Sequence, residues 1–243
     1  MLKDHHVVVV GGGSGIGRSV AEASVAQGAR VTVASRNADR LTTVVRDIGP
    51  AVTARPLDMT DDTAVAAFAA GLDPVDHLVI TASSAAHGPF ATRDISAVEA
   101  MFVAKFFGPY RTAKAVLPKM TKGGSITFFS GVLSRRPGEN CSGLGAVNSA
   151  VEGLTRGLAL ELGPDLRINC ISPGMVDSAA YAHVPKEQRE KMYRETGASL
   201  PAGRVGRPAE IAEAVLFVMT NTYTTGIVLD VDGGHMIRQY ARR

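Results

Sequence analysis

The chain has 243 residues, 45% of them hydrophobic, and carries a net charge of +3 at pH 7. That length suits one large domain with a substantial core. Apart from Arg135-Arg136 and the stretch from Arg238 to Arg243, the basic residues are scattered, which argues against a nucleic-acid partner. Two cysteines are too few for a disulfide scaffold, and no apolar run approaches a membrane span. The charged start, Met1 to His6, lacks the apolar region of a secretion signal, so the expected setting is cytoplasmic.

Val7-Val8-Val9-Val10 opens the chain as a strand buried on both faces. The cluster Gly11-Gly12-Gly13-Ser14-Gly15-Ile16-Gly17 then turns into a helical pattern running from Arg18 to Gly28. Strand, glycine turn and helix together make a phosphate cradle. Without Cβ atoms the backbone approaches a pyrophosphate closely, and unpaired N–H groups of the first helical turn bind its charge. The candidate cradle residues are Gly11, Gly13, Ser14, Gly15, Ile16 and Gly17, at spacing Gly11-x-x-x-Gly15-x-Gly17 rather than Gly-x-Gly-x-x-Gly.

The alternation continues. Arg30 to Ser35 reads as a strand, Asn37 to Ile48 as a helix, Val52 to Leu57 as a strand, Thr60 to Gly71 as a helix and Asp76 to Thr81 as a strand. A long helical stretch from Ile95 to Met120 precedes a strand at Ser125 to Phe129, and a helix from Ser142 to Leu162 precedes another at Arg167 to Ser172. Pro208 opens the last helix, with Ile211, Val215 and Val218 on one face, and Ile227 to Val231 is the last strand. Strands separated by helices throughout predict an α/β fold with a doubly wound parallel sheet, and nothing interrupts it, so residues 1–243 are expected to form a single domain.

The second strand ends at Ser35-Arg36-Asn37. Position 36 lies nineteen residues beyond Gly17, where a carboxylate would receive the ribose 2′-hydroxyl of NAD. A guanidinium there pairs with a 2′-phosphate instead, so NADP(H) is the expected cofactor, unless Arg36 is only a surface arginine at a strand end. In Leu57-Asp58-Met59, Asp58 is placed either to accept from an adenine amino group or to cap the next helix.

With these features the chain resembles the short-chain dehydrogenase/reductase family over nearly its whole length. The resemblance rests on the glycine cluster, Asp76-His77-Leu78-Val79, Val151-Glu152-Gly153-Leu154-Thr155, Arg167-Ile168-Asn169-Cys170-Ile171-Ser172-Pro173-Gly174, Gly203-Arg204-Val205-Gly206-Arg207-Pro208 and Thr225 to Gly234. It implies a Rossmann-like single domain, a nicotinamide cofactor, a small-molecule substrate, and a homotetramer or homodimer built on the two long helices. It further implies cofactor contacts from Asp58, Met59, Ala82, Pro173, Gly174, Val176 and Ser178, and no metal.

The family's chemistry uses a tyrosine, a lysine four residues later, a serine and an asparagine. Aligned on Val151-Glu152-Gly153, the tyrosine position is Leu144 and the lysine position Asn148. The serine position, thirteen residues before the tyrosine, is Gly131, and the asparagine position, three before Gly108, is Lys105. None of the five tyrosines lies between the fifth and sixth strands with a lysine four residues on. The expectation is therefore a reductase of a carbonyl, imine or quinone-like molecule with a non-standard site, in which Lys105 supplies a proton and Ser130 and Asn148 orient a water or substrate oxygen. Two alternatives stay open: a non-catalytic NADP(H)-binding sensor, and a non-redox isomerase or lyase using His87, Lys105 or His183 as base. The segment 179–201, with a charged helix from Lys186 to Thr196, reads as a lid over substrate. Gly143 and Gly145 mark a close approach by substrate or a neighbouring helix, or a loosened helix start.

Overall fold

The computed structural model describes residues 2–81 and 87–238. In chain order it contains β1 (His6–Val10), α1 (Gly15–Ala26), β2 (Arg30–Ser35), α2 (Ala38–Ile48), β3 (Val52–Pro56), α3 (Asp62–Ala70) and β4 (Val75–Ile80). There follow α4 (Ile95–Phe102), α5 (Gly108–Val116), β5 (Met120–Phe129), α6 (Ser142–Leu162), β6 (Arg167–Pro173), α7 (Lys186–Ala198), α8 (Pro208–Thr220) and β7 (Val228–Val231). The strands form one parallel sheet in the order 3-2-1-4-5-6-7. Because β1 pairs with both β2 and β4, the winding reverses between β1 and β4, and their carboxyl ends open a crevice there.

Alternation along β1 explains the two layers. Val7 and Val9 enter one core with Val20 of α1 and Ile211, Val215 and Val218 of α8. Val8 and Val10 enter the other with Phe68 of α3, Val116 of α5 and Val151 of α6. Each fully buried valine contributes roughly 1.5–3 kcal/mol, so a strand of four leaves no polar alternative on either face.

Two elements depart from the sequence expectation. The helix expected over 95–120 is broken into α4, a π-helical turn at Val103–Phe107, α5 and a 3₁₀ turn at Leu117–Lys119. Pro109 has no N–H to return to the carbonyl of Lys105, and the N–H of Gly108 reaches back five residues to the Val103 oxygen. Strand β5 begins five residues before expected, at Met120, which pairs with Val75 before the register shifts and Ser125 meets His77. The irregular Thr121-Lys122-Gly123-Gly124 has no period-2 pattern, and Gly123 is left-handed (φ +82°).

At the amino ends of the strands lies a histidine cluster. His6 bonds Thr32 Oγ1 (2.8 Å) and the Pro74 carbonyl (2.9 Å) through its two ring nitrogens. His77 bonds Ser125 Oγ (2.8 Å) and His5 Nδ1 (3.1 Å), with the His5 and His77 rings stacked. Asp76 accepts the His6 N–H and the Thr121 hydroxyl. Among the described residues, no group of three or more His, Cys, Asp or Glu is arranged to hold a metal ion, and no helix is long and apolar enough to cross a membrane.

Candidate active site

The glycine cluster places the amino end of α1 at the crevice. The helix starts at Gly15, so the N–H groups of its first turn point outward without intrahelical partners. Ser14 occupies the cap position without bonding the helix through its side chain, and no acidic residue in the first turn competes for an anion. A side chain on Gly17 would overlap the Gly11 carbonyl. The loop after β6 approaches from above: the Ala179 nitrogen and Ser178 Cβ each lie 3.5 Å from where a Gly15 Cβ would sit. A cleft of about 460 Å³ remains between them, lined by Arg18, Ser19, Ser178 and Arg189.

That loop is fixed by its backbone. A Cβ on Gly174 would stand 2.8 Å from Asp232 Cα, and buried Val176 pairs with Gly206. Pro173 ends β6, and the Ser178 hydroxyl accepts from the Ala180 N–H (3.4 Å).

At the end of β2, Arg36 is exposed and forms no ion pair among the described residues. Arg40 joins it, a residue the sequence reading passed over. A Cβ on Gly13 would lie 2.8 Å from Ser35 Oγ and 3.5 Å from Arg40 Cβ, so Gly13, Ser35 and Arg40 converge on one spot. Asp58 Oδ1 takes both the N–H (2.9 Å) and hydroxyl (2.7 Å) of Thr60, while α3 is capped by Asp61. These Thr60 bonds, with Arg36 nearby, hold the Asp58 carboxyl below its usual range. Asp58 therefore pins the turn after β3 rather than capping the helix, and buried Met59 backs that turn, its carbonyl accepting from Arg111 (3.0 Å). Ala82 lies outside the described residues.

The centre of the site is unusually charged for its depth. Lys105, on the π turn, is buried, and its Nζ donates to the Ser130 carbonyl (3.2 Å). Burial pulls its pKa down to about 8, with Cys170 acting weakly in the opposite sense. The Ser130 hydroxyl does not face Lys105's ammonium as a partner; it donates to Glu152 Oε1 (3.0 Å), as does Ser134 (2.6 Å). Arg135 stands 3.7 Å from Glu152 Oε2 and forks onto Asp230 at the edge of β7. Glu152, which entered the sequence reading only as part of a motif, is thus the hub of this network, and no spacing rule announced it. Asn148 Nδ2 donates to the Gly131 carbonyl (3.3 Å), while its buried Oδ1 has no partner among the described residues. Gly131 is extended (φ 166°), and a Cβ there would lie 3.2 Å from Asn148 Nδ2. Leu144 is packed with Met101 and Val147, flanked by Phe106 and Leu133. Gly143 and Gly145 at the start of α6 face Met101 and the Leu133 carbonyl, so neighbouring protein segments rather than substrate account for them.

Three loops meet at the mouth. His87 Nδ1 lies 3.3 Å from Cys141 Sγ, just before α6. Tyr181, from the segment after β6, is close enough for the Cys141 charge to act on it and stacks edge-on against Tyr193 of α7 (5.8 Å). His183 is exposed on that segment, away from any hydrogen-bonding partner among the described residues.

A family model described as enoyl-(acyl carrier protein) reductase matches residues 11–236. Galactitol 2-dehydrogenase (L-tagatose-forming) from Cereibacter sphaeroides is 35% identical over 242 residues, 94% of each chain. The short-chain dehydrogenase/reductase ATR9 from Stachybotrys chlorohalonatus is 29% identical, covering 98% of this chain and 99% of its own. Among solved structures, a small-chain dehydrogenase in complex with NADPH superposes with a TM-score of 0.85 at 36% identity, covering 96% of this chain and 99% of its own. The MalC reductase/Diels-Alderase from Malbranchea aurantiaca superposes at 0.90 and 28% identity, over 98% of both chains. The chain belongs to the short-chain dehydrogenase/reductase family. It is an oxidoreductase of the NAD(P)-dependent kind, and a neighbour solved with NADPH agrees with the NADP(H) expected from Arg36.

Proposed function

We propose that the chain is an NADP(H)-dependent reductase of a carbonyl, imine or quinone-like small molecule in which Lys105, rather than a tyrosine, holds the transferable proton. The observation that carries this reading is a buried ammonium at the carboxyl end of β5, bound to the Ser130 carbonyl and titrating near the working range of a general acid.

The residues present fit the cofactor. Arg36, Arg40 and Ser35 offer donors for a 2′-phosphate, the first turn of α1 for the pyrophosphate, and the turn from Pro173 to Ser178 for the nicotinamide end. Asn148 Oδ1 is a buried acceptor without a donor among the described residues; an unmet acceptor costs about 1–3 kcal/mol, which a ribose hydroxyl would recover. When bound, NADPH supplies a hydride. Lys105 Nζ gives a proton to the substrate heteroatom, the Ser130 carbonyl holds that ammonium in place, and Leu144 with Met101 and Leu133 excludes water. The Ser130 hydroxyl acts indirectly, by fixing the strand end through Glu152.

Residues 179–201 form the lid in this reading. A homodimer or homotetramer is supported by the outward face of α6, where Gly153 and Gly157 have open space and Leu160 is 86% exposed, beside exposed Phe107 and Tyr110. A cytoplasmic setting suits its free cysteines. The sensor reading draws support from Leu144, whose apolar packing leaves no acid at the tyrosine position. The two separate in one experiment: the protein is incubated with each C4-deuterated NADPH stereoisomer and a metabolite extract, and small molecules are searched for protein-dependent label. Label in a product supports the reductase; cofactor binding without label in several extracts supports the sensor.

A further inference from the structure

The geometry points to a second reactive centre at the mouth of the site: Cys141 and His87 form a thiol–imidazole pair that adds covalently to α,β-unsaturated carbonyl compounds. This inference stands apart from hydride transfer and does not depend on the cofactor.

Three features carry it. The pair is built from two segments far apart in sequence, and Nδ1 to Sγ is 3.3 Å, within reach of proton transfer. The loops are tied together beside it, since the Gly88 N–H donates to the Asn140 carbonyl (2.9 Å) and Arg93 donates to the His87 carbonyl. The thiol is half-buried and the imidazole exposed, so a small molecule reaches the sulfur from the imidazole side, with Tyr181 and Leu133 nearby as apolar walls. Cys170, by contrast, is wholly buried beneath the site.

Burial pushes the Cys141 thiol up, so it rests protonated and needs a base at the moment of attack. His87 Nδ1 takes the Sγ proton as the sulfur electron pair forms a bond to the β-carbon. The C=C pair shifts to give an enolate, and the imidazolium returns its proton to the α-carbon. The sum is addition of S–H across a double bond, with no oxidant or reductant. A soft thiol selects such a carbon over a simple carbonyl.

N-Ethylmaleimide serves as the probe, with adducts counted by intact mass and located by peptide mapping. The expected result is one adduct per chain, on Cys141, formed in Cys170→Ser as in the parent and absent from Cys141→Ser. At pH 7 His87→Gln should slow the addition at least roughly tenfold, set against the about 10²–10⁴ that a positioned base contributes. The His87→Gln deficit should shrink as pH rises, because the thiolate then forms without help from a neighbouring base. Among the described residues, Tyr181 interacts with Cys141, Arg93 holds the His87 carbonyl and Glu139 lies two residues before Cys141, and Tyr181→Phe should preserve that pH dependence. Equal rates in parent and His87→Gln, with unchanged circular dichroism, would overturn the pair, as would first labelling at Cys170. Because cofactor is absent throughout, the outcome is independent of whether the chain reduces anything.

Discussion

A lysine sealed beneath a strand end carries its charge at a cost, and the position of that cost sets a pH limb. Lys105 titrates near 8 because burial penalises the ammonium, so it loses its proton as pH rises through that value. If it is the acid, kcat/KM falls on the alkaline side above about pH 8, and Lys105→Met lowers turnover by about 10² or more while erasing that limb. Turnover unchanged in Lys105→Met would remove the residue from the chemistry. The second residue-scale prediction concerns Arg36. Charge-assisted hydrogen bonds contribute about 1.5–3 kcal/mol, so Arg36→Ala should weaken NADPH binding roughly ten- to a hundredfold and leave NADH nearly unaffected, as read by calorimetry.

At the scale of elements, the π turn is what aims Lys105 inward. Pro109 cannot donate to the Lys105 carbonyl, and the turn widens to absorb the gap. Pro109→Ala restores that donor. The expected outcome is a continuous helix that rotates Lys105 away from Ser130, with activity lost while the melting temperature holds or rises. The same segment shows where sequence reading reached its end. The Val-rich strands and the glycine cradle were legible because burial on both faces and close backbone approach each demand particular residue types. Val-Ala-Lys-Phe-Phe, by contrast, is compatible with an ordinary helix, and only Gly108-Pro109 hinted at a break. Glu152 and Arg40 were invisible for a different reason: their roles arise from tertiary convergence, with serines from the loop after β5 and with Ser35 of β2, and no local period encodes that.

For the molecule as a whole, acid resistance is governed at the amino ends of the strands. Burial, chiefly, and the neighbouring His5 pull the His77 pKa down to about 4 from 6.5, and burial lowers His6 as well. Between those two values the unfolded chain takes up a proton that the folded chain refuses, so the His77 contribution to stability is fully present above about pH 6.5 and is lost as pH falls toward 4. A shift of that size corresponds to a loss on the order of 3 kcal/mol. Urea unfolding midpoints measured across this window should fall accordingly, and His77→Gln should flatten the slope; an unchanged slope would assign the acid sensitivity elsewhere.

Gly131 carries a different implication. Its backbone is extended, which any residue adopts, and the nearest atom to a side chain there is the Asn148 amide rather than main chain. The hydroxyl that relatives are expected to hold at this point is therefore missing by side-chain choice alone, on a main chain still shaped to carry one. Restoring that one hydroxyl asks the Asn148 amide to give way by a few tenths of an ångström and asks nothing of the main chain.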